Sequence, residues 1–225
     1  MQSKSEVTQE KIIAAAGRLF FEKGLYCTSQ QDIADYAGVN RGLIHHYFGT
    51  KEAIACIIFE RLDRRFNALM KELLFAGEED TVYVSIAQGR LVINYLLANN
   101  NIKRFYMDLI WHNICTEYIE EAIFNDFQEE CRSLALSYSR EEMQLYSMLL
   151  ASVECKLLST QIDVSYPISV EEIISVKNRI HLNILKLSEE EAERKIRRAV
   201  ELCRRVRYKP ADSFQVKRED IIIFE

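Results

Sequence analysis

The stretch from Thr28 to Glu52 constrains the fold of this chain more than any other. It holds two short apolar runs on either side of Gly38, and both have the residue spacing of a helix face. Glycine supplies the positive φ that a tight turn requires, and Asn40 fits the N-cap of the second helix. Two helices joined in this way form a helix-turn-helix, whose second helix enters the DNA major groove.

Helices are also predicted on both sides of this motif. Residues Thr8–Lys23 repeat apolar side chains every three or four positions, with Thr8 as N-cap and Gly24 just past the last turn. Thr28 or Ser29 then caps the next helix. We therefore expect a head of three helices within the first fifty residues, in which the first helix buries the backs of the other two.

The rest of the chain reads as one helix after another, with capping-box patterns at Ser139, Ser169 and Ser188. The predicted helices are Thr50–Phe75, Asp80–Ala98, Ile102–Cys115, Thr116–Leu136, Ser139–Gln161, Ser169–Lys186 and Ser188–Tyr208. A loop is predicted at Asp163–Ser169. The β-prone tail from Lys209 could pack on the body, add an edge strand or stay mobile.

Charge does not by itself indicate a nucleic-acid partner, because the 225-residue chain has a formal net charge of −5. Residues 1–51 hold six Lys and Arg against five Asp and Glu, a net +1, so the remainder carries −6. Any DNA binding must therefore come from a local surface of helix N-termini and a few cations, not from a global basic field.

The six cysteines are scattered, without a CxxC pair or a close cluster with histidine. Disulfide-rich secreted domains and zinc sites both bring cysteines closer together than this. We expect reduced, mostly buried structural thiols and no metal site.

Several other classes of protein lack support in the sequence. The chain has no P-loop, GxSxG, HExxH or GxGxxG motif, so neither a catalytic site nor a cofactor is expected. No apolar run approaches the roughly 20 residues that span a bilayer, so no membrane partner is expected. The N-terminus lacks the apolar core of a signal peptide, which favours a cytoplasmic location.

The N-terminal quarter, Val7–Ile54, resembles the TetR/AcrR family of transcriptional regulators. The spacing of the matching residues holds without a gap. They are Ile12, Ala15, Ala16, Leu19, Phe20, Gly24, Thr28, Ile33, Ala34, Ala37, Gly38, Val39, Gly42, Tyr47, Phe48, Lys51 and Glu52. The chain departs from the family pattern at His45 and Gly49.

The resemblance implies an all-α homodimer. Residues 1–51 would form the three-helix DNA-binding head, and residues 52–225 a larger helical bundle for effector binding and dimerisation. Such regulators usually repress from a pseudo-palindromic double-stranded DNA operator and release it when a small molecule binds. An activator, a protein-interaction adaptor whose head no longer binds DNA, and a helical enzyme with a borrowed head remain alternatives.

The candidate DNA-binding residues lie on and around the second helix of the motif. Arg41 could contact guanine or phosphate, and Gly42 allows close approach to the duplex. His45 and His46 are either base-reading or merely solvated, and Tyr47 either contacts phosphate or packs under the head. By the resemblance, Lys51 and Thr28, at the N-terminus of the first helix of the motif, also match family positions that contact the DNA backbone. The full set is Thr28, Ser29, Asn40, Arg41, Gly42, His45, His46, Tyr47 and Lys51.

The densest aromatic patch, Phe105–Cys115, is either aromatic core or the wall of an effector pocket. On the second reading, Tyr106, Trp111 and His112 would line the pocket. Apolar stripes on the helices at 140–161 and 169–207 would form the dimer face, although they could equally be internal core. These stripes hold Leu145, Met148, Leu149, Ser152, Ile173, Val176, Ile180 and Ile184.

Overall fold

The computed structural model describes residues 3–162 and 168–224, and helices account for most of them. The helices are α1 Lys4–Lys23, α2 Gln30–Ala37, α3 Arg41–Phe48, α4 Lys51–Leu74, α5 Thr81–Ala98, α6 Asn100–Trp111, α7 Thr116–Ser133, α8 Arg140–Ile162, α9 Val170–Ile184 and α10 Glu189–Arg204. The strands are β1 Val206–Tyr208 and β2 Ile221–Ile223. The predicted helical head and bundle are confirmed, with a small two-stranded ribbon added at the end.

Side-chain caps set most of the helix starts. The helix-turn-helix has the predicted caps, since Ser29 starts α2 and Asn40 starts α3, and Gly38 in the turn has φ 64°. The prediction that α1 starts at Thr8 is wrong. Ser3 and Glu6 form a reciprocal capping box, and the Thr8 hydroxyl donates to the Lys4 carbonyl inside the first turns. A complete capping box satisfies two orphan N–H groups, which favours the earlier start.

Two of the three capping boxes predicted in the second half are present, whereas Ser188 caps α10 with its hydroxyl but lacks the return bond from its N–H to Glu191. Ser139 exchanges hydrogen bonds with Glu142 ahead of α8, and Ser169 does so with Glu172 ahead of α9. Of the loop predicted at Asp163–Ser169, residues 163–167 lie outside the described residues.

The C-terminal tail folds back onto the protein. Helix α10 ends at Arg204 rather than near Tyr208, and β1 pairs antiparallel with β2, with Val206 opposite Ile223. Between the strands the Phe214 ring lies 5.4 Å from Phe21 of α1 and 4.4 Å from Phe105 of α6. The tail therefore both pairs as a strand and packs on the body, where it also contacts the head.

One continuous apolar core joins the head to the bundle. Within the head, α1 packs on α2 and α4, and α3 packs on α2 and α4. The backs of α2 and α3 were expected to be buried by α1 alone, but α4 contributes as well by packing on α3. Ile33 and Ile44, one from each helix of the motif, are fully buried.

The cysteine prediction is wrong for one pair. Cys56 of α4 and Cys115, immediately before α7, form a disulfide with Cα atoms 5.4 Å apart. The two residues lie 59 positions apart, so no spacing rule could reveal them. Of the free thiols, Cys131 and Cys203 are buried as expected, whereas Cys27 is exposed.

The described residues contain neither a membrane-spanning helix nor a metal-binding cluster. None of their helices is both long and apolar enough to cross a bilayer. Nor does this part of the chain gather three or more His, Cys, Asp or Glu side chains in a metal-binding arrangement.

Candidate functional sites

Helix α3 presents an open polar face. Ile44 fixes the helix to the head from below, while Arg41, Gly42, His45 and His46 are exposed. The Asn40 side-chain oxygen accepts from the Gly42 N–H at 2.7 Å. A Cβ at position 42 would lie 3.2 Å from that oxygen, so glycine suits the cap as well as a close approach to a ligand.

His45, His46 and Tyr47, at the end of α3, make different contacts. The His45 ring donates from Nδ1 to the Gly49 carbonyl at 3.2 Å, which places it along the helix C-terminus. The His46 and Tyr47 rings lie 5.1 Å apart, and Tyr47 is half-buried. The Tyr47 ring therefore packs on the head, as one alternative expected. The accessible part of the side chain leaves the other alternative, a phosphate contact, as a prediction.

The predicted phosphate contact of the Thr28 side chain is contradicted. Its hydroxyl is 1% exposed and donates to the Gly24 carbonyl at 2.8 Å, inside the head. Ser29 is exposed, but its hydroxyl is already bonded to Asp32 at 2.6 Å. These bonds lower the pKa of Asp32, so a carboxylate already occupies the positive end of α2.

Lys51, which was predicted to contact phosphate, is hydrogen-bonded inside the head. Its Nζ donates to the carbonyls of Leu25 and Thr28, at 2.9 and 2.8 Å, and lies 5.2 Å from the centre of the Tyr26 ring. It therefore ties the start of α4 to the link between α1 and α2. Gln30, which the sequence did not single out, makes the matching tie on the other side by donating to the Gly49 carbonyl.

A cavity of about 400 Å³, partly open to solvent, lies between α4, α5, α6, α7, α8 and α9. Of the three predicted effector residues, Tyr106 lines it, whereas Trp111 is 51% exposed and His112 lies on the surface. The prediction is therefore wrong for Trp111 and His112. Five residues along a helix correspond to about 140° of rotation, so Trp111 faces away from the side that carries Tyr106.

Polar groups cluster on one side of the cavity. The Tyr106 hydroxyl lies 3.5 Å from Glu154. Burial is the main cause that raises the pKa of Tyr106, and the negative charge of Glu154 raises it further. Glu154 is itself paired with Lys177. Asp63 accepts from the Tyr118 hydroxyl at 2.8 Å and from Asn67 at 3.1 Å. Burial raises the pKa of Asp63 despite these two bonds.

Helix α6 connects the cavity to the head. On the side away from Tyr106, Arg104 donates to the Phe21 carbonyl at the end of α1, at 2.8 Å. The His112 ring lies 4.3 Å from the Tyr26 ring in the link that follows α1. His112 is therefore a contact with the head and not a cavity residue.

The apolar stripe on α8 is largely exposed. Leu145, Met148, Leu149 and, on α9, Val176 are 42–63% exposed, whereas Ile173 is buried core. Ile173 is therefore internal core, whereas the exposed residues remain candidates for the dimer face. Four large apolar side chains on neighbouring helices form a patch of the kind that marks protein interfaces.

The family model of the bacterial regulatory proteins of the tetR family matches residues 12–55. The transcriptional regulator TtgR of Pseudomonas putida is 31% identical over 114 residues, which cover 51% of this chain and 53% of TtgR. AcrR of Shigella flexneri is 29% identical over 146 residues, 64% of this chain and 65% of AcrR. The matches thus span about half to two thirds of these relatives.

The fold resembles the crystal structure of RolR in complex with the ligand resorcinol. The TM-score is 0.66 at 15% identity, over 87% of this chain and 95% of RolR. At this identity the likeness establishes a shared fold.

Proposed function

We propose that this chain is a ligand-responsive transcriptional regulator of the TetR family, a proposal supported by the match of that family's model to residues 12–55. It represses by binding a pseudo-palindromic operator as a homodimer in the cytoplasm, and a small-molecule effector releases it. Residues 1–51 bind DNA, and residues 52–225 bind the effector and the second copy. The named relatives are regulators and not enzymes.

The exposed face of α3 carries this proposal. Arg41 stands at the helix N-terminus, where a guanidinium can form two hydrogen bonds to guanine or one to a phosphate. His45 and His46 extend the polar face, and Tyr47 contributes a phenol at its edge. Because Asn40 and Ile44 fix the helix, these side chains are presented on a rigid support.

The exposed stripe on α8 and α9 supports the homodimer. A two-fold axis through Leu145, Met148, Leu149 and Val176 would bury all four side chains against their copies. Reading two half-sites requires the two α3 helices to lie about one DNA turn apart, roughly 34–36 Å.

The contacts of α6 support a route from effector to DNA. A ligand that occupies the cavity contacts Tyr106, and α6 carries any resulting shift to Arg104 and His112 at the head. A ligand that favours the arrangement with wrongly spaced heads would lower the population bound to DNA. The crystal structure of RolR, which shares this fold, contains the small molecule resorcinol, and this supports a small-molecule effector.

Fluorescence anisotropy with the full chain and a duplex from its own upstream region tests the proposal. We expect preference for this duplex over a shuffled duplex at every salt concentration, with affinity falling as salt rises. Arg41→Ala should weaken binding by about tenfold or more, the effect of one lost base contact. Arg18→Ala, an exposed arginine on α1, is the matched control.

Equal affinity for both duplexes at all salt concentrations would contradict sequence-specific regulation. If neither Arg41→Ala nor Tyr47→Ala changes DNA affinity, the adaptor alternative gains. Transcription from the same upstream region, measured with and without the protein, separates a repressor from an activator.

A further inference from the structure

The cavity holds two carboxylates, Asp63 and Asp126, without a cationic partner among the described residues. Asp63 is 8% exposed, and the two groups bonded to it, Tyr118 and Asn67, are both neutral. Asp126 lines the same cavity from α7, is solvent-exposed, so it lies where the cavity opens to the surface, and has no hydrogen-bond donor among the described residues.

The cations that line the cavity are engaged elsewhere. Lys177 is paired with Glu154. His181 lies 2.7 Å from the Glu130 carboxylate, which is 1% exposed. The Arg64 side chain is 72% exposed, lies 3.4 Å from Glu60, and places its guanidinium carbon 5.8 Å from the centre of the Tyr118 ring, where one face of that ring is already covered. Each positive group therefore has its own carboxylate, and Asp63 and Asp126 are left over.

Leaving Asp63 without an ion-pair partner costs free energy, because a buried charge loses its hydration. Desolvation raises the pKa of Asp63. At neutral pH this carboxyl group can ionise only at that cost, which a bound cation would offset.

Unpartnered amide atoms point independently to a missing ligand. Asn178 lines the cavity, is 5% exposed, and its Nδ2 has no hydrogen-bond partner in the described structure. The Asn67 Oδ1 is also buried and unpartnered. Buried polar atoms are nearly always paired in folded proteins, so such atoms around a cavity indicate a place for polar groups of a guest.

Aromatic rings stand beside the acidic side of the cavity. Phe59 and Tyr106 are stacked with their centroids 5.8 Å apart, and Tyr118 meets Phe59 edge-on at 5.9 Å. Because the Tyr118 hydroxyl is bonded to Asp63, its ring lies next to that carboxylate. A carboxylate beside an aromatic ring suits an ammonium group, which both attract.

We propose that the effector is a lipophilic amine, a small aromatic or alkyl body carrying a protonated nitrogen and a hydrogen-bond acceptor. The ammonium lies between Asp63 and Asp126 against the Tyr118 ring, and Asn178 donates to the acceptor. The body lies against the apolar wall formed by Ile86, Ile93 and Leu150. The assignment of this ligand class rests on the proposed effector role of the cavity.

Calorimetric titration of the full chain at neutral pH with three ligands of one skeleton tests this class. The probes are tyramine, the neutral alcohol tyrosol and the anion 3-(4-hydroxyphenyl)propionate. We expect tyramine to bind at least about tenfold more tightly than tyrosol, and the anion to bind least, because charge-assisted contacts are the strong ones. Asp63→Asn and Asp126→Asn should each remove most of the tyramine advantage, and Glu72→Gln on the exposed side of α4 should not.

Equal or tighter binding of tyrosol, or of resorcinol, would overturn the proposal. So would an unchanged tyramine affinity in both aspartate variants, or no binding of any probe. The anisotropy assay on DNA separates this inference from the proposed function. If tyramine binds as expected but the chain has no sequence preference on DNA, the function fails and the ligand class stands. If resorcinol releases DNA and tyramine neither binds nor releases, the function stands and the ligand class fails.

Discussion

Arg104 on α6 donates from its guanidinium to the Phe21 carbonyl, at 2.8 Å, and to the Glu22 carbonyl, at 3.3 Å. Both acceptors belong to the last turn of α1, whose carbonyls have no partner within the helix. The arginine thus caps α1 from a neighbouring helix. Two residues further along α6, Tyr106 lines the cavity, so one helix contacts both the cavity and the three-helix head.

Arg104→Ala should uncouple the cavity from DNA binding. The variant keeps the cavity and the α3 surface, but α6 no longer holds the end of α1. The effect of an effector on operator affinity, about 1–3 kcal/mol in coupled systems, should fall towards zero. Anisotropy titrations with and without effector measure this coupling. Lys103→Ala, the neighbouring residue on α6, is the control, and an unchanged coupling in Arg104→Ala would refute the route.

Lys51→Met should destabilise the head rather than merely weaken a phosphate contact. The ammonium donates to the carbonyls of Leu25 and Thr28, and the substitution leaves the Thr28 carbonyl without its donor while the Leu25 carbonyl keeps only the Thr28 N–H, at 3.3 Å. We expect a loss of roughly 1–3 kcal/mol in the free energy of unfolding. Chemical denaturation measures the loss, with the exposed Lys11→Met for comparison. Wild-type stability together with weaker DNA binding would restore the phosphate-contact role.

Leu149→Glu should break the dimer. A buried carboxylate facing its own copy across a two-fold axis is unfavourable both through desolvation and through repulsion. Sedimentation or light scattering should show monomers, and operator affinity should fall at least about tenfold because one half-site contact set is lost. Leu134→Glu, at an exposed leucine outside the stripe, should stay dimeric. A dimeric Leu149→Glu protein would place the interface elsewhere.

Asp63→Asn should stabilise the protein at neutral pH. Because burial raises the pKa of Asp63 in the folded state, the unfolded chain releases this proton more readily, and the cost to folding appears above the ordinary pKa of about 4. The amide removes that cost and can still accept from Tyr118. We expect Tm to rise by about 2 °C or more at pH 7.5.

The same comparison at low pH checks the cause of that rise. At about pH 3, below both pKa values, the folded and unfolded states are largely protonated at this position, so the difference between Asp63→Asn and wild type should vanish. Glu72→Gln, an exposed carboxylate on the same helix, should show no such trend. A gain in Tm that is the same at both pH values would mean that packing, and not charge, is responsible.

Thiol counting checks the disulfide. The unfolded, unreduced protein should expose four reactive thiols, at positions 27, 131, 155 and 203, and reduction should raise the number to six. Removing the bond with Cys56→Ser and Cys115→Ser should cost roughly 2–4 kcal/mol relative to the oxidised protein. Six thiols without reduction would mean that Cys56 and Cys115 are both free.

The structure confirms the predictions about the local structure of the helix-turn-helix. Caps at Ser29 and Asn40 and the positive φ of Gly38 depend on residues within three or four positions of each other. The capping box ahead of α8 and the one ahead of α9 follow the same rule. Short-range hydrogen bonds of this kind are encoded by the sequence itself, because the partners are neighbours whatever the rest of the chain does.

The errors concern what a side chain meets across the fold. Thr28 and Lys51 were assigned to phosphate from their place in a motif, yet each bonds to carbonyls inside the head. Trp111 and His112 were assigned to the pocket because they share a segment with Tyr106. Helix rotation instead turns Trp111 to the surface and His112 to the head.

By itself, the sequence determined that this chain is helical, that a helix-turn-helix stands near its N-terminus, and which side chains α3 can present. Apolar periodicity and local capping carry that information. The tertiary structure decided where the cavity lies, that Asp63 and Asp126 both line it, and that Cys56 reaches Cys115. These outcomes depend on which helix faces pack together, and that is settled by contacts between residues far apart in the chain.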